Sequence, residues 1–168
     1  GPSALSNTGG LFAFGGSTIT MIGVSTEGKR SDLAAASSIT ADNSWITIDG
    51  QGSLVNAGSI AAINNGVIRI VNFHSAASMS NITTGAIVAL SGGGITFSGL
   101  GTFHNSAGGL LANNGSINIL LAGGGSMANA VNGTITALSG GAITISNAGM
   151  FNNAGSVTAN AGIVRIIN

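Results

Sequence analysis

The amino-acid sequence predicts an all-β fold, a right-handed parallel β-helix of about seven rungs with ~24 residues per rung. Three observations predict it. A polar residue recurs at a near-constant interval, short apolar-polar-apolar segments recur at the same interval, and the turns between them are rich in Gly and Asn. A helical repeat would need a longer amphipathic stretch in each unit, and Gly and Asn interrupt every candidate. Each unit therefore buries its apolar face against copies of itself.

The recurring polar position lies at intervals of 24, 24, 24, 25, 24 and 25 residues, counted back from Asn153. It follows an apolar residue of the predicted inward face by two positions, so its own side chain should also point inward. Stacked amides can satisfy one another and the turn backbone inside a core. We therefore expect an internal structural ladder formed by Asn7, Asp32, Asn56, Asn81, Asn105, Asn129 and Asn153.

The first strand of each rung follows the ladder residue and has the pattern apolar-x-Ala. Period-two alternation puts the two outer residues of this triplet on one face and the middle residue on the other. The triplets are residues 11–13, 39–41, 60–62, 87–89, 110–112, 135–137 and 157–159.

The second strand follows a Gly- or Asn-containing turn and has large apolar residues on both sides of its middle position. The middle position is expected to point outward, and it reads Thr, Thr, Arg, Thr, Asn, Thr, Arg along the chain. Its two arginines, Arg69 and Arg165, are interpreted as solubilising charges. The triplets are residues 19–21, 46–48, 68–70, 95–97, 117–119, 143–145 and 164–166.

A third short segment closes each rung at the ladder residue, with an apolar residue two positions earlier. A longer period is superimposed on this one, since residues 78–103 align without a gap on residues 126–151 and are identical at 15 of 26 positions. The duplicated unit is therefore predicted to be a pair of rungs.

Composition excludes several classes of function. Only 5% of the residues are charged, and four basic and four acidic residues give a net charge of zero. No basic footprint for nucleic acid is present. No apolar run approaches the roughly 18 residues of a membrane-spanning helix, and the absence of cysteine excludes disulfides and thiolate metal sites.

Domain organisation is expected to be simple. Residues 1–3, Gly1-Pro2-Ser3, are typical of the remnant of a cleaved expression tag. Residues 4–168 are predicted to form a single β-helix domain, a fragment of a longer passenger. Residues 163–168 form a full strand with no polar cap after it, so we expect more rungs in the parent chain and end-to-end self-association of the fragment.

Two stretches carry a family resemblance: LVNAGSIAAINNGVIRI (residues 54–70) and FNNAGSVTANAGIVRI (residues 151–166). They resemble the repeats of filamentous haemagglutinin-type exoproteins, which Gram-negative bacteria export by two-partner secretion. Autotransporter passengers use similar repeats, so the secretion route stays open. The only proline is Pro2, whereas the family's secretion domain carries an Asn-Pro motif, so the resemblance implies a shaft segment.

The resemblance implies a non-catalytic structural segment of a secreted or cell-surface adhesin. Its implied partners are the neighbouring rungs of the parent chain, an outer-membrane transporter during secretion, and a host glycan or protein receptor. The absence of cysteine fits transport across the outer membrane in an unfolded state.

Two other functions stay open. A binding module would recognise a host glycan or protein through a flat face, with Lys29, Arg30 and Trp45 as the candidate ligand contacts. The charged run at residues 27–32 is otherwise interpreted as a solvated turn. A carbohydrate-active enzyme, the less favoured alternative, would depend on Asp42 or Asp49, because such chemistry needs converging carboxylates.

No metal ion or cofactor is expected. His74 and His104 lie on different segments of different rungs and lack a third ligand at a useful spacing. The glycine triplets at residues 92–94 and 123–125 contain no Asp for calcium and are predicted to be turns.

Overall fold

The computed structural model describes residues 6–22, 30–35, 37–50, 52–73 and 77–168, and every regular element among them is a β-strand. Lys29 and His74 lie outside the described residues, as does the tripeptide at residues 1–3. The strands are β1 (Ser6–Asn7), β2 (Gly10–Phe14), β3 (Thr18–Ile22), β4 (Arg30–Leu33), β5 (Ser38–Asp42), β6 (Trp45–Asp49), β7 (Ser53–Asn56), β8 (Ser59–Ile63), β9 (Val67–Val71), β10 (Ser78–Asn81), β11 (Ala86–Leu90), β12 (Gly94–Asn105), β13 (Gly109–Asn113), β14 (Ser116–Asn129), β15 (Thr134–Leu138), β16 (Ala142–Asn153), β17 (Ser156–Asn160) and β18 (Ile163–Ile167).

The strands form a parallel β-solenoid, as the sequence predicts. They stack in three rows, and all pairings between them are parallel. The alanine row is the seven-stranded sheet β2-β5-β8-β11-β13-β15-β17, whose strands are separated by six turns of the solenoid. The ladder row is β1, β4, β7, β10 and the C-terminal parts of β12, β14 and β16. The threonine row is β3, β6, β9, the N-terminal parts of β12, β14 and β16, and β18.

The predicted triplets stack in register, so each apolar side chain meets its counterpart in the next coil. In the alanine row, for example, Ile87 pairs with Ile60 on one side and Leu110 on the other. In the threonine row the same holds for Ile95, which pairs with Ile68 and Ile117. All five side chains are buried. The core is therefore a continuous column of aliphatic side chains between the three rows.

The turns between the alanine and threonine rows explain the high content of Gly and Asn. Asn64, Asn65 and Asn114 have positive φ values of 49°, 63° and 49°, a conformation that Asn tolerates better than most residues. The residue that follows such a turn is packed against the coil beneath. A Cβ placed on Gly141, for instance, would lie 2.1 Å from the carbonyl oxygen of Ala112, so no larger residue fits without moving the backbone.

The predicted pairing of rungs appears in the connections between the ladder row and the alanine row. These connections span residues 8–9, 34–37, 57–58, 82–85, 106–108, 130–133 and 154–155, so long and short connections alternate. The prediction of a turn at residues 123–125 was wrong. These glycines lie within the bounds of β14, at an irregularity where pairing with β16 shifts between Leu120 and Gly125.

Candidate functional site

The asparagine ladder runs through the core of the ladder row from Asn56 to Asn153. Each amide nitrogen donates one hydrogen bond to the amide oxygen of the next asparagine, with N···O distances of 2.9, 3.0, 2.8 and 2.8 Å along the series. The same nitrogens of the first four asparagines also donate to backbone carbonyls of the alanine row, at 3.1 to 3.3 Å. Both donors of each buried amide are thus satisfied. The ladder members are Asn56, Asn81, Asn105, Asn129 and Asn153.

Glycine makes room for these amides. A Cβ on Gly85 would lie 2.3 Å from the Oδ1 atom of Asn81, and one on Gly133 would lie 2.4 Å from the Oδ1 atom of Asn129. Both glycines come directly before a strand of the alanine row. The ladder and the glycine before the next strand are therefore one packing unit, which accounts for the recurrence of Asn and Gly at a fixed offset.

The assignment of Asp32 to the ladder was wrong. Asp32 pairs with Val55, and the residue in register with Asn56 is Leu33. On the other side Leu33 is in register with Asn7, whose side chain is not among those described. The sequence interval was counted as 24 residues, but the stacked positions are separated by 23, and a shift of one residue turns a side chain to the other face. The amide ladder therefore begins at Asn56, whose buried Oδ1 atom has no hydrogen-bond donor.

The last coil leaves its inward face uncovered among the described residues. Val157 and Ile166 are 39% and 42% exposed, whereas their register partners one coil earlier, Ile135 and Ile145, are fully buried. Asn153, the last ladder residue, is also exposed. The solenoid thus presents an apolar cross-section with an open strand edge at this end.

Two candidate ligand contacts lie on different rows. Trp45 is the first residue of β6 in the threonine row and is 53% exposed. Arg30 is the first residue of β4 in the ladder row, where it pairs with Ser53. The structure therefore does not place Trp45 and Arg30 on one row, and Lys29 lies outside the described residues.

The outer side of the threonine row contains a depression of about 490 Å³, which we call the threonine-row depression. It crosses four coils, because its lining comes from β6, β9, β12 and β14 and the turn after β9. Asp49, at the end of β6, accepts a hydrogen bond from the amide nitrogen of Asn72 at 2.6 Å. Arg69 lies on the adjacent strand β9 and is exposed. Sequence reasoning missed this site, although Asp49 and Arg69 both lie at outward positions of consecutive coils.

Asp42 resembles Asp49 in its local geometry but lies elsewhere. Its Oδ1 atom accepts a hydrogen bond from the amide nitrogen of Asn64 at 2.9 Å, at the end of β5 in the alanine row. The length of β6, about 13 Å at the rise of a strand, separates it from Asp49. The two acids therefore do not converge on one place.

Among the described residues, no group of three or more His, Cys, Asp and Glu side chains could hold a metal ion. In the same part of the chain, no helix is long and apolar enough to cross a membrane.

Comparisons with known proteins were also made. No protein-family model matches this chain, and no curated protein and no solved structure matches it. The parallel β-solenoid and its asparagine ladder are therefore the basis for a function.

Proposed function

We propose that this chain is a structural, non-catalytic shaft segment of a secreted or cell-surface bacterial adhesin of the filamentous haemagglutinin-like kind. Its function is to be stiff and to hold a distal binding region away from the cell. The observation that supports this most is the unbroken bonding along the solenoid axis: amide to amide from Asn56 to Asn153, beside parallel strand pairing in all three rows.

Stiffness follows from how the bonds are distributed. Opening one coil would break backbone pairing in three rows, separate aliphatic side chains in the core and leave two buried amides without partners. Local opening of the middle coils is therefore costly. A rod of this kind resists both bending and proteolysis, which are the demands on a shaft outside the cell.

The repeat pattern quoted above supports export from a Gram-negative bacterium. We propose an outer-membrane transporter as the partner during secretion, by two-partner secretion or as an autotransporter passenger, and neighbouring coils of the parent chain as the partners afterwards. Labelling intact cells of the source bacterium with an antibody against residues 78–168 tests the location. Surface labelling is expected, and labelling only after the cells are lysed would contradict it.

The shaft role is tested by measuring how straight and stiff the solenoid is in solution. Spin labels on Thr20→Cys and Arg165→Cys lie six register steps apart along the exposed face of the threonine row. Six steps of ~4.8 Å give an expected separation of about 29 Å. Labels on Thr20→Cys and Asn118→Cys, four steps apart, provide the matched pair at about 19 Å.

Pulsed electron–electron resonance should give two narrow distance distributions whose means differ by about 10 Å, because both pairs share the same label at Thr20. A broad distribution for the longer pair alone would mean that the rod bends, which would contradict the shaft role. The measurement does not depend on any ligand.

A second candidate function, a module that binds a host glycan or protein through one face, is favoured by one observation, the threonine-row depression. That face is not flat at this place, so the ligand is sought at the depression.

A further inference from the structure

We propose that the threonine-row depression binds a short neutral oligosaccharide, with Asp49 and Arg69 as its principal hydrogen-bonding side chains. This names the ligand for the second candidate function and is independent of the shaft role, since a stiff rod can carry a binding site on its side. The volume, about 490 Å³, lies within the range of ~300–1,000 Å³ that is usual for small-ligand sites.

The polar groups of the depression have hydrogen-bonding capacity that the protein does not use. Asn72 holds one carboxylate oxygen of Asp49, and the second oxygen can still accept. Arg69 forms no side-chain hydrogen bond or ion pair with any described residue, so its guanidinium N–H groups remain as donors. The hydroxyl groups of Thr47 and Thr96 lie on either side of Arg69 in register.

This mixture of donors and acceptors matches a saccharide. Each sugar hydroxyl both donates and accepts, so neighbouring hydroxyls can donate to a carboxylate and accept from a guanidinium. Asp49 pairs with Val71, two residues beyond Arg69 on β9, and diagonal neighbours of this kind lie about 7 Å apart. A hydroxylated ring can therefore bridge the carboxylate and the guanidinium, which do not pair with each other.

The charge of the site favours a neutral ligand. One carboxylate and one guanidinium line the depression, and its other lining residues are uncharged. A sulfated or uronic chain would bring negative charge next to Asp49, and a basic peptide would bring positive charge next to Arg69. Neither penalty applies to a neutral sugar.

Apolar groups complete the site. Leu120 lines the depression and is 42% exposed, and Val71 lies beside it in the lining. Trp45 shares the outward face of β6 with Thr47 and Asp49, because alternate residues of a strand point to the same side. Its exposed indole lies beyond the edge of the depression, where a further sugar ring would present its C–H face.

The same arrangement does not recur along the face. Arg165 occupies the position of Arg69 four coils later, but its register neighbour is Thr144 and no acidic residue occurs after Asp49 in the sequence. Asp42 has the same asparagine partner geometry as Asp49 but lies in the alanine row. The chain therefore offers an internal control for each of the two charged groups.

The test is a titration of the 15N-labelled protein with cellotetraose, N-acetylchitotetraose and mannotetraose, followed by 1H–15N NMR. We expect at least one of these neutral tetrasaccharides to shift amide signals of residues 47–49, 69–72 and 96–98, at the millimolar concentrations typical of a single weak site. Asp49→Asn and Arg69→Ala should each weaken binding about tenfold, the effect of losing a hydrogen bond to a charged group.

Asp42→Asn and Arg165→Ala are the matched variants and should bind like the parent protein. The proposal is overturned if none of the three sugars shifts these signals, or if the four variants bind equally. It is also overturned if a heparin tetrasaccharide binds at these residues and the neutral sugars do not. The spectrum of each variant also reports whether it is folded, so that loss of binding is separated from loss of structure.

Discussion

The middle coils and the second coil of the solenoid differ at one register position. From the third coil onward that position is an asparagine, and the buried ones are bonded on both sides except Asn56. In the second coil the position is Leu33, and the buried Oδ1 atom of Asn56 consequently has no donor. The ladder is thus satisfied only by continuity. An interior member depends on both neighbours, whereas a terminal member depends on one.

The largest effect is expected from removing an interior ladder amide. Asn105→Ala leaves one N–H group of Asn81 and the Oδ1 atom of Asn129 without partners in the core. Each unsatisfied buried group costs roughly 1–3 kcal/mol, so we expect the free energy of unfolding to fall by about 3–4 kcal/mol. Urea unfolding followed by circular dichroism measures it.

Asn153→Ala is the matched control at the exposed end of the same ladder, where only one amide partner is lost and water can replace it. We expect a decrease of about 1 kcal/mol. Equal losses at Asn105 and Asn153 would show that continuity does not matter.

A smaller loss is expected where a side chain is added between stacked coils. Gly141→Ala places a Cβ 2.1 Å from the carbonyl oxygen of Ala112, so the two coils must separate locally. Overpacking of this kind costs about 2–3 kcal/mol. Gly123→Ala is the control, because no atom lies within 4 Å of its Cβ. It should leave the urea midpoint unchanged, and a matching loss there would point to backbone entropy as the cause.

The third prediction extends the ladder by one member. Leu33→Asn places an amide in register with Asn56, where its N–H group can reach the buried Oδ1 atom. We expect a coupling energy of about 1 kcal/mol between the two side chains, the value of one hydrogen bond. A double-mutant cycle with Asn56→Ala measures this energy apart from the loss of the leucine. Additive effects would mean that the new amide does not join the ladder.

The register of the three rows could be predicted from the sequence because each row repeats one simple pattern. The triplet at residues 87–89, for example, stacks on its counterparts as expected. Counting equal intervals failed at Asp32, since an acidic residue in a spacing of 24 imitates an asparagine, while the stacked residue is Leu33. Turn lengths decide such one-residue differences, and an average period cannot give them.

The threonine-row depression could not be predicted for a different reason. Each of its residues, taken alone, is an ordinary outward side chain, and Arg69 was interpreted as a solubilising charge. The site exists only through the diagonal relation between Asp49 on one coil and Arg69 on the next. That relation requires the register of several coils to be known at once.

The smallest effect on stability is expected at the last coil, which differs from the sixth coil only in lacking a covering coil among the described residues. The 168-residue protein should associate with itself as its concentration rises, because Val157 and Ile166 present apolar surface beside an open strand edge. Ile166→Lys should shift the protein toward monomer in analytical ultracentrifugation while changing the free energy of unfolding by less than about 0.5 kcal/mol. Thr158→Lys adds the same charge at the middle position of β17, whose neighbours Val157 and Ala159 point inward, and should leave the association unchanged. If the two lysine variants dissociate the protein equally, net charge is responsible and the apolar end is not. A protein that stays monomeric at every concentration would contradict the prediction for the open end itself.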